Sequence, residues 1–149
     1  MNPSTQDLQQ LLDEQVPIAR AMGVRLGQYT PEGLLLAAPL ERNRNYKGTA
    51  FAGSLATLAT LAGWALTMRR VEEMGVKPEV VVARSAIAYL RPVREDIEVF
   101  CTMPDDASIR KLKRALDRKG IGRWEITARI PPLGVRAVDY MGTYAITII

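Results

Sequence analysis

The chain has 149 residues, 48% hydrophobic and 24% charged, as expected for one globular domain with a single core. Its net charge of +4 is compatible with anionic ligands, but 16 acidic residues are mixed with the basic ones, so no nucleic-acid surface is indicated. The absence of histidine excludes a Ser-His-Asp triad, a Cys-His pair and histidine-based acid or base catalysis. Cys101 is the only cysteine, which excludes the usual zinc sites and an intrachain disulfide. We expect one domain over residues 1–149, in a reducing cytoplasm, without metal or cofactor.

The N-terminal residues predict a short amphipathic helix. Leu8, Leu11, Leu12 and Val16 recur at helical spacing, and Ser4 or Thr5 can cap the first turn. Pro17 ends or kinks this helix, and the segment PIARAMG adds one more turn. This region has neither a basic segment nor an apolar one, so we expect no signal peptide.

A β-hairpin is predicted next. The runs VRLGQY and LLLAAPL have strand length and flank Thr30-Pro31-Glu32-Gly33. Proline in the second position and glycine in the fourth favour a tight turn.

The most unusual segment is NYKGTAFAGSLATLATLAGWAL, which begins at Asn45. No charged residue occurs from Gly48 to Met68. A run of about 20 apolar residues can cross a bilayer, but threonine, serine and glycine dilute the hydropathy of this one. We therefore predict no membrane span but a helix enclosed by its own protein, as for other helices that are apolar all round.

The remaining chain predicts two strands, a helix and two more strands. In EVVVARSAIAYLRPV, alternation places Val80, Val82, Ala86, Ala88 and Leu90 on one face, and Val81, Ala83, Ile87 and Tyr89 on the other. Because both faces are apolar, we expect both to be covered. DIEVFCTM alternates like a half-buried strand, and PDDASIRKLKRALDRKG is a helix with Asp105 or Asp106 near its start. The last two predicted strands are IGRWEITARI and VRAVDYMGTYAITII.

The segment NYKGTAFAGSL resembles the loop-to-helix signature of hotdog-fold acyl-thioester hydrolases, and AIAYLRPV resembles the strand that follows in that superfamily. The similarity is greatest to small thioesterase domains found alone or fused to acetyltransferases. The resemblance implies an α+β hotdog fold, in which an antiparallel sheet wraps around a long central helix. It also implies activity on acyl-CoA or acyl-carrier-protein thioesters, and a homodimer or dimer of dimers with the acyl tunnel at the interface.

Site residues follow from the same resemblance. Gly53 would present its N–H to the thioester carbonyl, because the first amides of a helix are unpaired and carry a partial positive charge. The alternative is that Gly53 only permits a strand to pack closely on the helix. Asn45 corresponds to a residue that contacts water or the carbonyl, although asparagine is also a common turn residue. For Asn43 we expect the turn role. Thr49, Phe51, Ser54 and Arg91 are expected to contact the substrate, Arg91 through a phosphate. The alternatives are that Phe51 packs on the helix and that Arg91 is a solvated charge at the end of a strand. Ser54 lacks an activating histidine and can equally satisfy a backbone group in the first turn.

The sequence departs from the pattern at Thr60. Many relatives have a catalytic Asp or Glu there, about two turns after the glycine, and a threonine hydroxyl can hold water but not act as a base near neutral pH. No acidic residue occurs between Glu41 and Glu72. A base would have to come from Glu41, Asp96 or Asp139, or from a second subunit.

Two other functions stay open from the sequence. A non-hydrolytic acyl or acyl-CoA binding protein is favoured by the missing carboxylate. A dehydratase or hydratase shares the fold, but those enzymes typically use histidine. The basic helix from Ser108 to Lys119 is expected to be an ordinary exposed face, or else to dock coenzyme A phosphates, an acidic carrier protein or anionic lipid.

Overall fold

The computed structural model describes the backbone of residues 3–149 and the side chains of residues 7–149. It contains four helices and six strands in this range: α1 Pro3–Gln15, α2 Pro17–Met22, β1 Arg25–Thr30, β2 Gly33–Ala38, α3 Ala52–Glu72, β3 Pro78–Tyr89, β4 Ile97–Thr102, α4 Asp106–Lys119, β5 Ile121–Ile130 and β6 Val138–Ile148. The predicted order of elements is confirmed. The cap predicted at Ser4 or Thr5 lies outside the described side chains.

The strands form one antiparallel sheet in the order β1-β2-β4-β5-β6-β3. The sheet wraps around α3, which packs against β2, β3, β4, β5 and β6. This is the α+β hotdog architecture that the resemblance implied. None of the helices among residues 3–149 is long and apolar enough to cross a membrane.

The core lies between α3 and the concave face of the sheet. Alternate strand residues point toward the helix, as the period of two requires, and the larger ones are fully buried: Leu34, Leu36, Ile97, Ile126, Ile130, Tyr144 and Ile146. Small helix residues let the strands approach closely. Gly63 is the clearest case, because a Cβ there would overlap the Tyr144 hydroxyl.

Helix α3 begins at Ala52, after Phe51 in an extended conformation, and continues to Glu72, past the uncharged run. Ten of its residues are buried, among them Leu58, Ala62 and Leu66. Others, including Thr57, Leu61 and Trp64, are only half-buried. The prediction of a helix enclosed all round is therefore wrong for the single chain, in which one stripe of α3 is incompletely covered.

Strand β3 corrects a second expectation. It is an edge strand, and most of its side chains are exposed, including Val81 at 63% and Tyr89 at 49%. A bulge between Val82 and Arg84 shifts the alternation by one residue. As a result Val82, opposite Tyr144, shares the inner face with Ile87, opposite Tyr140. The two predicted faces of β3 therefore hold only as far as the bulge.

The other predicted elements are confirmed, although β2 and β3 end, and β6 begins, a few residues inside the predicted bounds. Pro17 opens α2 directly after α1, and the hairpin pairs Thr30 with Gly33. Strand β4 alternates between buried and more exposed residues along Ile97–Thr102. Asp105 caps α4 by accepting a 2.8 Å hydrogen bond from the Ser108 N–H, and Gly120 ends this helix in the left-handed conformation.

Candidate active site

The loop that leads into α3 is built around the Asn45 side chain. Its Oδ1 accepts hydrogen bonds from the backbone N–H groups of Lys47 at 2.8 Å and Thr49 at 3.2 Å. Its Nδ2 donates to the Thr49 hydroxyl at 2.8 Å and to the Ala50 carbonyl at 3.4 Å. A side-chain amide has two donors and an acceptor with two lone pairs, so these bonds use the full capacity of Asn45. The turn role is therefore present in the structure, and contact with water would require Asn45 to release a loop bond.

Asn43 anchors the same loop to the protein. Its side chain is 2% exposed, and Nδ2 donates to the carbonyl oxygens of Met22 at 2.9 Å and Pro39 at 2.8 Å. Its own carbonyl accepts the Phe51 N–H at 2.7 Å. The turn role predicted for Asn43 thus extends to fixing the residue that precedes α3.

The first turn of α3 presents free amides, but a side chain lies over it. The first helical hydrogen bond runs from the Leu55 N–H to the Phe51 carbonyl at 3.1 Å, so the N–H groups of Ala52, Gly53 and Ser54 precede the helical ladder. Phe51 is 54% exposed, and its ring packs on Gly53. The ring occupies the space that a Cβ on residue 53 would need. A Cβ at residue 53 would therefore have to displace the Phe51 ring.

Thr60 lies two turns further along α3, with its hydroxyl bonded to its own helix. Oγ1 donates to the Ala56 carbonyl at 2.8 Å, and the Thr60 carbonyl accepts the Tyr144 hydroxyl at 2.7 Å. Burial, together with the hydrogen bond to Tyr140, raises the pKa of Tyr144, which therefore stays neutral. The tyrosine pair behind Thr60 was not predicted, since only the fold brings β6 to the middle of α3.

A groove of about 510 Å³ lies between the Asn45 loop, the start of α3 and the segment after β3. Asn45, Thr49 and Arg91, which the sequence proposed as site residues, all line this groove with Ala52. Phe51, Gly53, Ser54 and Thr60 are not among its lining residues, so the structure brings together only part of the predicted site.

The charges along this groove have one sign. Lys47, Arg91 and Arg94 line it, and no acidic residue does. Tyr89 also lines the groove, and its hydroxyl lies 3.4 Å from the Ala52 carbonyl, which links the end of β3 to the helix start. The sequence did not predict Lys47 and Tyr89 as site residues. Lys47 lies in a turn and Tyr89 in a strand, and only the fold brings them to the same groove. The arrangement suits the phosphates of an anionic ligand held beside the first turn of α3.

The carboxylates that the sequence offered as bases lie outside this groove. Asp96 accepts the Leu40 N–H at 2.9 Å, and Asp139 pairs with Arg136 at 2.9 Å. Glu41 is exposed on the loop before α3. Within the described part of one chain, none of these carboxylates lines the groove beside the helix start.

Comparison with known proteins places this geometry in a family. The family model described as "Putative thioesterase (yiiD_Cterm)" matches residues 5–148. A solved structure of a protein of unknown function from Chlorobaculum tepidum is 31% identical, with a TM-score of 0.91 and coverage of 96% of this chain and 93% of that one.

Two further structures extend the comparison. A putative thioesterase from Shewanella oneidensis is 27% identical, with a TM-score of 0.87 and coverage of 97% of this chain and 98% of that one. A probable thioesterase from Pseudomonas aeruginosa, 22% identical over 97% of this chain and 96% of that one, has a TM-score of 0.78 and shows the shared fold. The sequence resemblance is confirmed, and the chain belongs to the hotdog-fold family of putative thioesterases.

Proposed function

We propose that the chain hydrolyses acyl thioesters of coenzyme A or acyl carrier protein, with the thioester carbonyl polarised at the start of α3. One observation carries this proposal: the groove beside the first helical turn holds Lys47, Arg91 and Arg94 with no carboxylate. A thioester carried on a phosphate-bearing arm needs cations for the arm and a donor for the carbonyl. Both lie at this end of the helix.

The Gly53 N–H is the proposed donor to the carbonyl oxygen. By analogy with known oxyanion holes, a preorganised donor in this position is worth about 3–4 kcal/mol. The Phe51 ring packs on Gly53, so a bound ester would displace the ring and take its place on the glycine. Phe51 then lines the acyl chain, and Ser54 contributes the next free amide of the first turn.

In the reaction, water attacks the carbonyl carbon, the C–S bond breaks, and an acid and a free thiol are released. Thr60 and Asn45 are the proposed contacts for the attacking water. The Thr60 hydroxyl would accept through its lone pairs, and Asn45 would exchange one of its loop hydrogen bonds for a bond to the water. A carboxylate from Glu41, Asp96 or Asp139, or one supplied by a second subunit, takes the proton of the attacking water and passes it to the departing sulfur, which leaves as the thiol. Hydrolysis is expected to be slow where no such group reaches the water.

We also propose a homodimer, alone or paired into a dimer of dimers. Strand β3 is a 12-residue edge, and Val81, Val82 and Tyr89 on it are exposed. Unpaired apolar edges of this length favour pairing with another strand. A second copy paired there would also lie beside the groove at the start of α3. Light scattering on the purified protein tests this, and a monomer at micromolar concentration would contradict it.

The test of the activity is thiol release from a chain-length panel of acyl-CoAs and from an acylated carrier protein. We expect turnover above the buffer rate for at least one thioester. Arg91→Met is the variant expected to weaken it, and Arg118→Met, an exposed arginine near the end of α4, is the matched control. No thiol release from any substrate would reject hydrolysis.

The alternative is an acyl or acyl-CoA binding protein that does not hydrolyse its ligand. The absence of any carboxylate from the helix between Ala52 and Val71 favours it. Saturable binding of an acyl-CoA without turnover supports this function, whereas turnover supports the hydrolase. The cytoplasmic location expected from the lone cysteine stays a prediction.

A further inference from the structure

An exposed aromatic ring lies at the rim of the cationic groove beside the start of α3. Tyr46 is 93% exposed and lines this groove together with Lys47. The Lys47 ammonium lies 5.6 Å from the centre of the Tyr46 ring, within the range of attraction to a ring face. Because the residue is almost fully exposed, the other face of the ring is open to a ligand.

The turn that carries Tyr46 is held by hydrogen bonds at both ends. The Gly48 N–H donates to the Asn45 carbonyl at 3.1 Å, and the Lys47 N–H donates to the Asn45 side chain at 2.8 Å. The Asn45 N–H in turn donates to the Thr49 carbonyl at 2.7 Å. Tyr46 therefore projects from a bonded turn, so that little further ordering of the backbone is needed when a flat ligand stacks on its ring.

The cations of the groove carry no bonded anion. In the described part of the chain, Lys47, Arg91 and Arg94 belong to none of the ion pairs. The carboxylates that follow Arg94, those of Glu95 and Asp96, line a second groove that shares the two arginines but not Lys47. Three cations in this state suit a ligand with several phosphates better than a ligand with one.

These features match the nucleotide end of coenzyme A. CoA carries two phosphates in its pyrophosphate and a third on its ribose, next to an adenine base. The arm of a carrier protein has one phosphate and no base. Aromatic rings that stack on bases, combined with cations that bind the phosphates, are a common means of holding nucleotides.

We propose that the Tyr46 ring stacks on the adenine of a CoA thioester while Lys47, Arg91 and Arg94 bind its phosphates. Tyr46 then selects CoA over a carrier protein as the donor of the acyl group. The inference rests on the proposed function, which places the thioester carbonyl at Gly53. It adds to that function a contact for the base and a residue that decides between the two carriers.

The test is a calorimetric titration of the full chain with free CoA, with 4′-phosphopantetheine and with a carrier protein that bears the unacylated arm. None of these ligands contains a thioester, so the result does not depend on hydrolysis. We expect CoA to bind at least about tenfold more tightly than phosphopantetheine, because only CoA has the base and the additional phosphates.

Three results would overturn the proposal: no binding of CoA, equal affinity for CoA and phosphopantetheine, or tighter binding of the carrier protein than of CoA. The thiol-release assay keeps this failure distinct from a failure of the proposed function. Turnover without a preference for CoA would leave hydrolysis standing and reject the role of Tyr46. A preference for CoA without turnover would leave Tyr46 as the base contact of a binding protein.

Variants of Tyr46 test the ring itself. Tyr46→Ala should weaken CoA binding at least about fivefold, the loss of one stacked base, and should leave phosphopantetheine binding unchanged. Tyr46→Trp should bind CoA at least as tightly as the unaltered chain, since indole offers a larger ring for stacking. Unchanged CoA binding in Tyr46→Ala would contradict stacking. Equal losses for CoA and phosphopantetheine would also contradict it, because they would mean that the turn itself has changed.

Ile121→Ala is the control for removing an exposed apolar side chain. Ile121 is 54% exposed and pairs with Thr147 near the end of β6, whereas Tyr89 of the groove pairs with Val138 at the start of β6. Ile121 therefore lies at the opposite end of the sheet from the groove. This variant should bind CoA like the unaltered chain, and a loss equal to that of Tyr46→Ala would contradict a specific role of the Tyr46 ring.

Discussion

The Tyr144 hydroxyl donates a 2.7 Å hydrogen bond to the Thr60 carbonyl, which joins β6 to the middle of α3. Since its single proton is used there, Tyr140 must be the donor in the 2.9 Å contact between the two hydroxyls. Both tyrosines are buried, at 5% exposure for Tyr140 and 0% for Tyr144. This chain of bonds fixes the helix against the sheet at Thr60, where the sequence resemblance led us to expect a carboxylate.

Tyr144→Phe should lower the free energy of unfolding by about 1–2 kcal/mol, because a buried carbonyl and the Tyr140 hydroxyl both lose their partner. Urea denaturation measures this. Tyr140→Phe is the matched control and should cost less, since it removes only one bond of the chain. Equal stability of Tyr144→Phe and the unaltered protein would contradict a stabilising role for the Tyr144 hydroxyl.

The contact between Phe51 and Gly53 predicts a non-additive pair of substitutions. Gly53→Ala places a methyl group in the space of the Phe51 ring and should destabilise the fold by about 1 kcal/mol or more through overpacking. In the Phe51→Ala background the same change should cost little, because the ring is absent. A double-mutant cycle from urea denaturation gives the coupling. Additive effects would mean that the ring moves away freely.

Asn45→Ala removes the bonds that hold the loop before α3 and should reduce thioester turnover more than Ser54→Ala does. The physical reason is that Asn45 shapes the groove, whereas Ser54 has no activating base. Asn45→Asp is an informative intermediate, because it keeps the acceptor for the Lys47 and Thr49 amides and loses the donors. Thermal denaturation checks that the variants fold. A larger loss in Ser54→Ala would refute these roles.

Arg91→Met should raise the KM for acyl-CoA with little change in kcat, since the guanidinium is proposed to bind a phosphate away from the reacting carbon. The effect should shrink as salt is added, because salt weakens the attraction between exposed opposite charges. Steady-state kinetics at two salt concentrations measure both. An unchanged KM would remove Arg91 from the site.

Asp105 predicts a specific effect of acid on stability. The Ser108 N–H lowers the pKa of the Asp105 carboxyl in the folded chain. A group whose pKa is lower when folded stabilises the fold above its unfolded pKa, about 3.9 for aspartate, and this contribution is lost as the pH falls through the folded value. Asp105→Asn keeps an acceptor for the cap but does not titrate.

The measurement for Asp105 is the urea midpoint at pH 6 and at pH 3. We expect the drop between the two to be smaller in Asp105→Asn than in the unaltered chain. Asp106→Asn, one residue further into α4, is the control. Its urea midpoint should fall more between pH 6 and pH 3 than that of Asp105→Asn. Identical drops in the unaltered chain and Asp105→Asn would show that the cap bond contributes no pH dependence.

Most of the element order was predictable because local patterns of apolar and capping residues determine it. The uncharged run predicts α3, and Asp105 and Gly120 mark the ends of α4 by capping chemistry. Strand order is a tertiary property, so Val81 and its neighbours on β3 were expected to be covered although β3 lies at an edge. The bulge after Val82 has no signal in the pattern of apolar residues.

The site was predictable only in part, for a related reason. Gly53 and Asn45 could be proposed from a sequence motif. A motif gives residue types at fixed spacing but does not give the hydrogen bonds that those residues form. That Asn45 is fully bonded within its loop depends on the backbone of Lys47 and Thr49. Arg69 follows an apolar run and would be expected at the surface, but the Tyr29 ring from another element covers it.

A crystal structure with a non-hydrolysable acyl-CoA analogue, in which a methylene group replaces the thioester sulfur, tests the central claim most directly. We predict the carbonyl oxygen within about 3 Å of the Gly53 nitrogen, the usual hydrogen-bond length. The Phe51 ring should be displaced and the phosphates should lie near Lys47, Arg91 or Arg94. An analogue bound elsewhere, or a Phe51 ring still packed on Gly53 in the complex, would contradict the account.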